Sequence, residues 1–133
     1  MFHPPEKQRR IAIIDDHEPF RRGISALLSS RGYAVYDFES VPRFIESGVM
    51  PRIDCLILDV AMPEIDGVSL HECLRQTNYE FPVIFCTGFD PDERIQTALA
   101  NGAAGVLQKP VQPELLFDAV ATACARRLPS QPN

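Results

Sequence analysis

The chain has 133 residues, of which 45% are apolar and 23% charged, and carries a formal net charge of −5. That length suits one domain with one sizeable core, not two, and the ordinary composition excludes disordered and fibrous classes. Basic residues never exceed pairs such as Arg9-Arg10, Arg21-Arg22 and Arg126-Arg127, so this chain has no electrostatic footprint for nucleic acid by itself.

Residues 1–9 read as an N-terminal extension. Ile11-Ala12-Ile13-Ile14 is a first strand, ending at Asp15-Asp16. Phe20, Ile24, Leu27 and Leu28 then recur at helical spacing, and Gly32 supplies the stop. Ala34 to Phe38 is a second, weaker strand. Ser40 caps a short helix carrying Phe44 and Ile45, which ends near Gly48. Ile53 to Asp59 is the third strand, and Val68 to Arg75 the third helix, with Leu70 and Leu74 on its inner face. Pro82 opens a fourth strand ending in Val83-Ile84-Phe85-Cys86-Thr87. In Asp90-Pro91-Asp92-Glu93, Asp90 is the expected N-cap, Pro91 the first helical residue and Glu93 the partner in a capping box. That helix carries Ile95, Ala98 and Leu99 and stops at Gly102. Gly105 to Gln108 is the fifth strand, followed by Lys109-Pro110. A last helix from about Gln112 to Arg127 lines up Leu116, Val120 and Ala123, and residues 128–133 read as a tail or the start of a linker.

Apolar runs without alternation are what strands buried on both faces look like, and such strands belong to parallel sheets covered by helices. Five such βα units imply right-handed crossovers with helices on both faces. Asp15-Asp16, Asp59, Thr87 and Lys109 then all fall at strand carboxyl ends, the edge where open parallel sheets bind ligands. Mg²⁺ takes one or two carboxylates and leaves the rest of its octahedron to water and phosphate oxygens. Asp15, Asp16 and Asp59 supply such a site if the first and third strands are neighbours. A carboxylate is also a nucleophile toward phosphorus, while a lysine and a hydroxyl offset or bond the transferred oxygens.

Cys55, Cys73, Cys86 and Cys124 show no C-x-x-C spacing, and two lie in apolar runs, so reduced thiols in a cytoplasm are expected. His3, His17 and His71 are too dispersed for a zinc site. No stretch has the length of a membrane span, and the first residues lack the apolar segment of a signal peptide.

The combination Ile-Ile-Asp15-Asp16, Leu-Ile-Leu-Asp59-Val-Ala-Met62-Pro63-Glu-Ile-Asp66-Gly67, Thr87-Gly88 and Gln-Lys109-Pro110 resembles the receiver domain of bacterial two-component response regulators, over nearly the whole chain. Asp15-Asp16-His17, Phe20-Arg21-Arg22-Gly23 and Thr87-Gly88 look most like regulators that carry a C-terminal helix-turn-helix. The resemblance implies a receiver domain over residues 10–127 with a flavodoxin-like doubly wound (βα)5 sheet, strand order 2-1-3-4-5. It implies that Asp59 accepts a phosphoryl group from a sensor histidine kinase or phosphotransfer protein, with Mg²⁺ on Asp15, Asp16, Asp59 and the backbone carbonyl of Ala61. Lys109 would pair with the phosphoryl group, Thr87 would turn toward it, and Pro110 would follow a cis peptide that aims Lys109 inward. Met62-Pro63 and Asp66-Gly67 would shape the loop after the third strand. A homodimer formed on phosphorylation is left open.

Singly, each feature has a plainer account: a solvated turn for the Asp pair, an exposed boundary for Lys-Pro, a local hydrogen bond for the Thr. Their joint placement favours the phosphorylation site. His17 reads as a helix-start residue without a catalytic role. Val106 stands where relatives usually have Tyr or Phe, and Val111 where many have Phe, which puts the usual relay to an output face in question. The competing readings are a phosphate-independent binding module of the same fold and a haloacid-dehalogenase-type phosphatase. The second needs an Asp-x-Asp pair, and the residue two beyond Asp59 is Ala61. No Walker loop or G-x-G-x-x-G occurs.

Overall fold

The structure, a computed structural model, describes residues 8–62, 67–77 and 80–126. The extension, the tail and residues Pro63 to Asp66 of the loop after the third strand lie outside them, apart from residues 8 and 9. Strands and helices alternate as β1 (Arg10–Ile14), α1 (Glu18–Ser30), β2 (Ala34–Phe38), α2 (Val41–Glu46), β3 (Cys55–Asp59), α3 (Gly67–Arg75), β4 (Val83–Thr87), α4 (Glu93–Ala100), β5 (Gly105–Gln108) and α5 (Pro113–Arg126). All strand pairs are parallel and the order is β2-β1-β3-β4-β5, as expected.

Burial explains which strands were easiest to recognise. Every residue of β3 and β4 is buried, whereas β2 and β5 are edge strands with mostly half-buried residues. Side chains alternate faces along each strand, so the sheet carries two cores. Leu56, Leu58, Phe85 and Ile14 pack with Phe44, Leu70 and Ile95 under α2, α3 and α4. Ile11, Ile13, Ile57 and Ile84 pack with Ile24, Leu28, Leu116 and Val120 under α1 and α5. Burying each such side chain stabilises the fold by roughly 1.5–3 kcal/mol.

Two local expectations change. Residues Met50–Arg52 form a 3-10 turn and β3 begins at Cys55, two residues later than expected. The N-cap of α4 is Asp92, whose carboxylate accepts from the Ile95 N–H at 3.1 Å. Asp90 instead accepts from Gln108 Nε2 at 2.8 Å, tying the β4–α4 loop to β5. With Asp92 as cap, the third helical residue is Ile95, so Glu93 cannot close a capping box. Ser40 caps α2 as expected, accepting from Arg43 N–H. Gly32 and Gly102 follow α1 and α4 with φ of 89° and 107°, conformations open to glycine.

Candidate functional site: an acidic pocket closed by a lysine

Alternation along the strands decides which end groups meet. Asp15, Asp59 and Lys109 share parity with Ile13, Ile57 and Leu107, all of the α1/α5 core, and so converge on that side of the rim. The ladder extends past β1, with the Asp15 N–H donating to the Phe38 carbonyl at 3.1 Å, and past β5, with the Lys109 N–H donating to the Thr87 carbonyl at 2.7 Å. These bonds fix the backbone beneath the first carboxylate and the lysine.

Carboxylate oxygens of Asp15, Asp16 and Asp59 lie within 4.8 Å of one another. Asp15 and Asp59 are buried, at 1% and 5% exposure, while Asp16 is exposed. Lys109 Nζ donates to Asp15 Oδ2 at 2.9 Å and to Asp59 Oδ1 at 3.4 Å, and the Lys109-Pro110 peptide is cis, as expected. Asp15 Oδ1 also accepts from the His17 N–H at 2.8 Å. His17 itself stands at the N-cap of α1 without a side-chain cap bond, in keeping with a helix-start role. The Ala61 N–H reaches Asp59 Oδ1 at 3.4 Å.

Burial, followed by the nearby Asp15 charge, holds the Asp59 carboxyl above the usual carboxylate range, and Lys109 only partly offsets this. The lysine is nearer Asp15, which is why Asp59 keeps a net penalty. Burial pulls the Lys109 ammonium down, but its bond to Asp15 and the charges of Asp59 and Asp15 outweigh that, leaving it above its ordinary value. Two buried carboxylates beside a third, with hard oxygen donors facing one another, fit a divalent cation: it relieves the repulsion that a single ammonium does not.

Thr87 is buried at the end of β4, and its hydroxyl accepts from the Phe89 N–H at 3.1 Å. The structure therefore brings together Asp15, Asp16, Asp59 and Lys109, and places Thr87 on the adjoining strand end with its hydroxyl engaged in its own loop. Cys86, in register with Asp59, has its thiol pushed up to about 12, chiefly by burial, so it stays protonated beside the pocket.

Three residues named in the sequence make contacts at the site that the sequence reading did not foresee. Arg21 Nη1 donates to the Asp15 carbonyl at 2.8 Å, holding the end of β1 from α1. Gly67 donates its N–H to the Val60 carbonyl at 3.0 Å, and a Cβ there would come within 2.5 Å of the Asp59 carbonyl oxygen. Phe20 turns its ring face to Lys109, with Nζ 4.3 Å from the centroid. The sequence placed Phe20 and Arg21 at the start of α1 and Gly67 in the loop motif after the third strand, without indicating these contacts.

A doubly wound parallel sheet with buried carboxylates and a lysine gathered outside its strand ends defines a class of cation- and phosphate-handling site. Residues 11–121 match the family model described as response regulator receiver domain, and the chain belongs to that family. It is a phosphoacceptor signalling module of the two-component type rather than a true enzyme, with the acidic pocket of Asp15, Asp16, Asp59 and Lys109. The transcriptional regulatory protein TdiR of Thauera aromatica is 30% identical over 115 residues, covering 86% of this chain and 51% of TdiR. The transcriptional regulatory protein FixJ of Azorhizobium caulinodans is 32% identical over 116 residues, covering 87% of this chain and 55% of FixJ. The chain thus spans about half the length of these curated relatives. Among solved structures, the crystal structure of FixJ-N superimposes with a TM-score of 0.81 at 26% identity, over 92% of this chain and 98% of that one. Membership implies a histidine kinase partner. Among the described residues, no helix is long and apolar enough to cross a membrane.

Proposed function

We propose that Asp59 is the phosphoacceptor of this domain, here taken as residues 10–127, and that phosphorylation makes it a signalling switch. The observation that carries this is the buried Asp59 carboxylate, gathered with Asp15 and Asp16 and reached by the Lys109 ammonium. An Asp59 oxygen attacks phosphorus, the bond from phosphorus to the donor histidine nitrogen breaks, and that nitrogen keeps the electron pair. Lys109 then transfers its hydrogen bonds to the phosphoryl oxygens, and the Thr87 hydroxyl leaves the Phe89 N–H to bond one of them. Mg²⁺ on Asp15, Asp16, Asp59 and the Ala61 carbonyl would supply the charge neutralisation that an approaching phosphate requires.

The donor is a sensor histidine kinase or a phosphotransfer protein, and the setting is cytoplasmic. Relatives described as transcriptional regulatory proteins, twice as long as the matched region, support an output on transcription through a part beyond the receiver domain. Val106 is half-buried against the core under α4. It is stiff at χ1 and too short to swing between buried and exposed positions, so a homodimer formed on phosphorylation draws little from a β5 side-chain relay.

The test is intact-mass measurement after incubation with a small acyl-phosphate donor and Mg²⁺. One phosphoryl group should appear in the wild type and none in Asp59→Asn; equal labelling of the variant would reject Asp59.

A further inference from the structure

Lys109 is held by three groups of two kinds. Two are carboxylates, Asp15 at 2.9 Å and Asp59 at 3.4 Å, and the third is the face of the Phe20 ring, 4.3 Å from Nζ to centroid. Phe20 projects from the first turns of α1, is half-buried, and packs against the α1/α5 core. Its neighbour Arg21 fixes that turn to the Asp15 carbonyl at 2.8 Å, so the ring is carried on a segment tied to the pocket itself. The Lys109 side chain is 23% exposed, which leaves its ammonium partly desolvated, the condition in which attraction to an aromatic face is strongest.

The three holds respond differently when the pocket does its work. A cation drawn to Asp15, Asp16 and Asp59 competes for the same oxygens that Lys109 uses, whereas the ring face offers it no oxygen to compete for. We infer that Phe20 is a positioning residue of this pocket: its ring keeps the Lys109 ammonium at the rim while Asp15 and Asp59 are given up to a divalent cation and a phosphoryl group. This rests on the proposed function above. Without the ring, the ammonium has only the carboxylates, so displacing it becomes harder and cation binding weakens.

A leucine at position 20 keeps an apolar side chain but has no quadrupole; pentafluorophenylalanine keeps the shape and reverses the quadrupole; tryptophan strengthens it. Calorimetric titration with Mg²⁺ alone, paired with the donor-concentration dependence of acyl-phosphate labelling, reads the effect. Phe20→Leu should weaken Mg²⁺ binding about threefold to tenfold, the pentafluoro ring at least as much, and Phe20→Trp should match or exceed wild type. In labelling, the loss should fall on the maximal rate more than on the donor concentration at half-rate, because the lysine acts on the transferring group. If packing alone mattered, the pentafluoro ring would behave as wild type and the larger Trp would be worst; that order overturns the inference, as does Mg²⁺ affinity unchanged in both the Leu and pentafluoro proteins. Wild type that binds no Mg²⁺ overturns the reading beneath it, and this inference with it. Thermal melts of each variant separate misfolding from loss of positioning, and should one variant fail to fold, the other still decides.

Discussion

Asp59 is a residue whose charge its surroundings tolerate badly. Burial and the neighbouring Asp15 raise its pKa, so the folded state favours the protonated carboxyl more than the unfolded chain does. The stability gained from that proton is fully present below the unfolded carboxylate pKa and is lost as pH rises through the raised folded value. Asp59→Asn lacks this loss. In the absence of divalent cations it should melt a few degrees higher than wild type at neutral pH, the response of a domain this size to about 1 kcal/mol. The gap should close below about pH 4, where the wild-type carboxyl is protonated. Melting curves across pH in the presence of a chelator test this, and a variant less stable than wild type at pH 7 would show that the Lys109 contact outweighs the repulsion. Adding Mg²⁺ should shrink the gap from the other side, because only the wild type keeps all three carboxylates to bind it.

At the level of elements, α3 is placed by a contact that a single methyl group disturbs. In an unobstructed helix, Gly67→Ala would gain up to about 1 kcal/mol of helix propensity. Here the new Cβ would meet the Asp59 carbonyl at 2.5 Å and Leu58 Cγ at 3.1 Å. One of those partners is backbone and cannot rotate away, so overpacking at about 1–3 kcal/mol wins. The variant should melt lower and, with Asp59 as the proposed phosphoacceptor, label more slowly, because the displaced backbone is that of Asp59; a melt within a degree of wild type would refute the clash.

The same element shows why sequence reading went as far as it did. β1, β3 and β4 were recognisable because strands buried on both faces need unbroken apolar runs, and their polar end residues marked the site. The expectation that Asp15 and Asp59 meet depended on β1 and β3 being neighbours, which the strand order gives. The α4 cap was misplaced because Asp90 and Asp92 flank the same proline and suit the role equally by type. Only the demand of Gln108, 18 residues away in sequence, takes Asp90 out of competition. Phe20 was read as core for a comparable reason: helical spacing says that a ring faces inward, not that an ammonium lies over it. Gly67 could be seen as part of a motif, but the carbonyl it backs against belongs to another element.

For the molecule as a whole, the sheet separates two cores that share no side chain. Ile95 belongs to the one under α4 and Ile24 to the one under α1. Ile95→Val and Ile24→Val should each cost about 0.5–1.5 kcal/mol. The double variant should equal their sum within about 0.5 kcal/mol, as expected of sites without common partners. Denaturant unfolding of the four proteins closes the cycle, and a coupling beyond 1 kcal/mol would mean that the sheet transmits packing strain from face to face.

The position of β3 adds a consequence for how long a signal lasts. It is the middle of five strands, paired with β1 and β4, and buried along its whole length. Local opening in proteins starts where buried contacts are few and reaches such central segments last, with the global transition. Asp59 is thus mounted on the part of the chain that opens last. With Asp59 as the proposed phosphoacceptor, local opening of its strand does little to bare an acyl phosphate there. The lifetime of the modified state is accordingly set at the rim, by the few groups that admit or exclude a water molecule, and evolution can lengthen or shorten it without touching the framework.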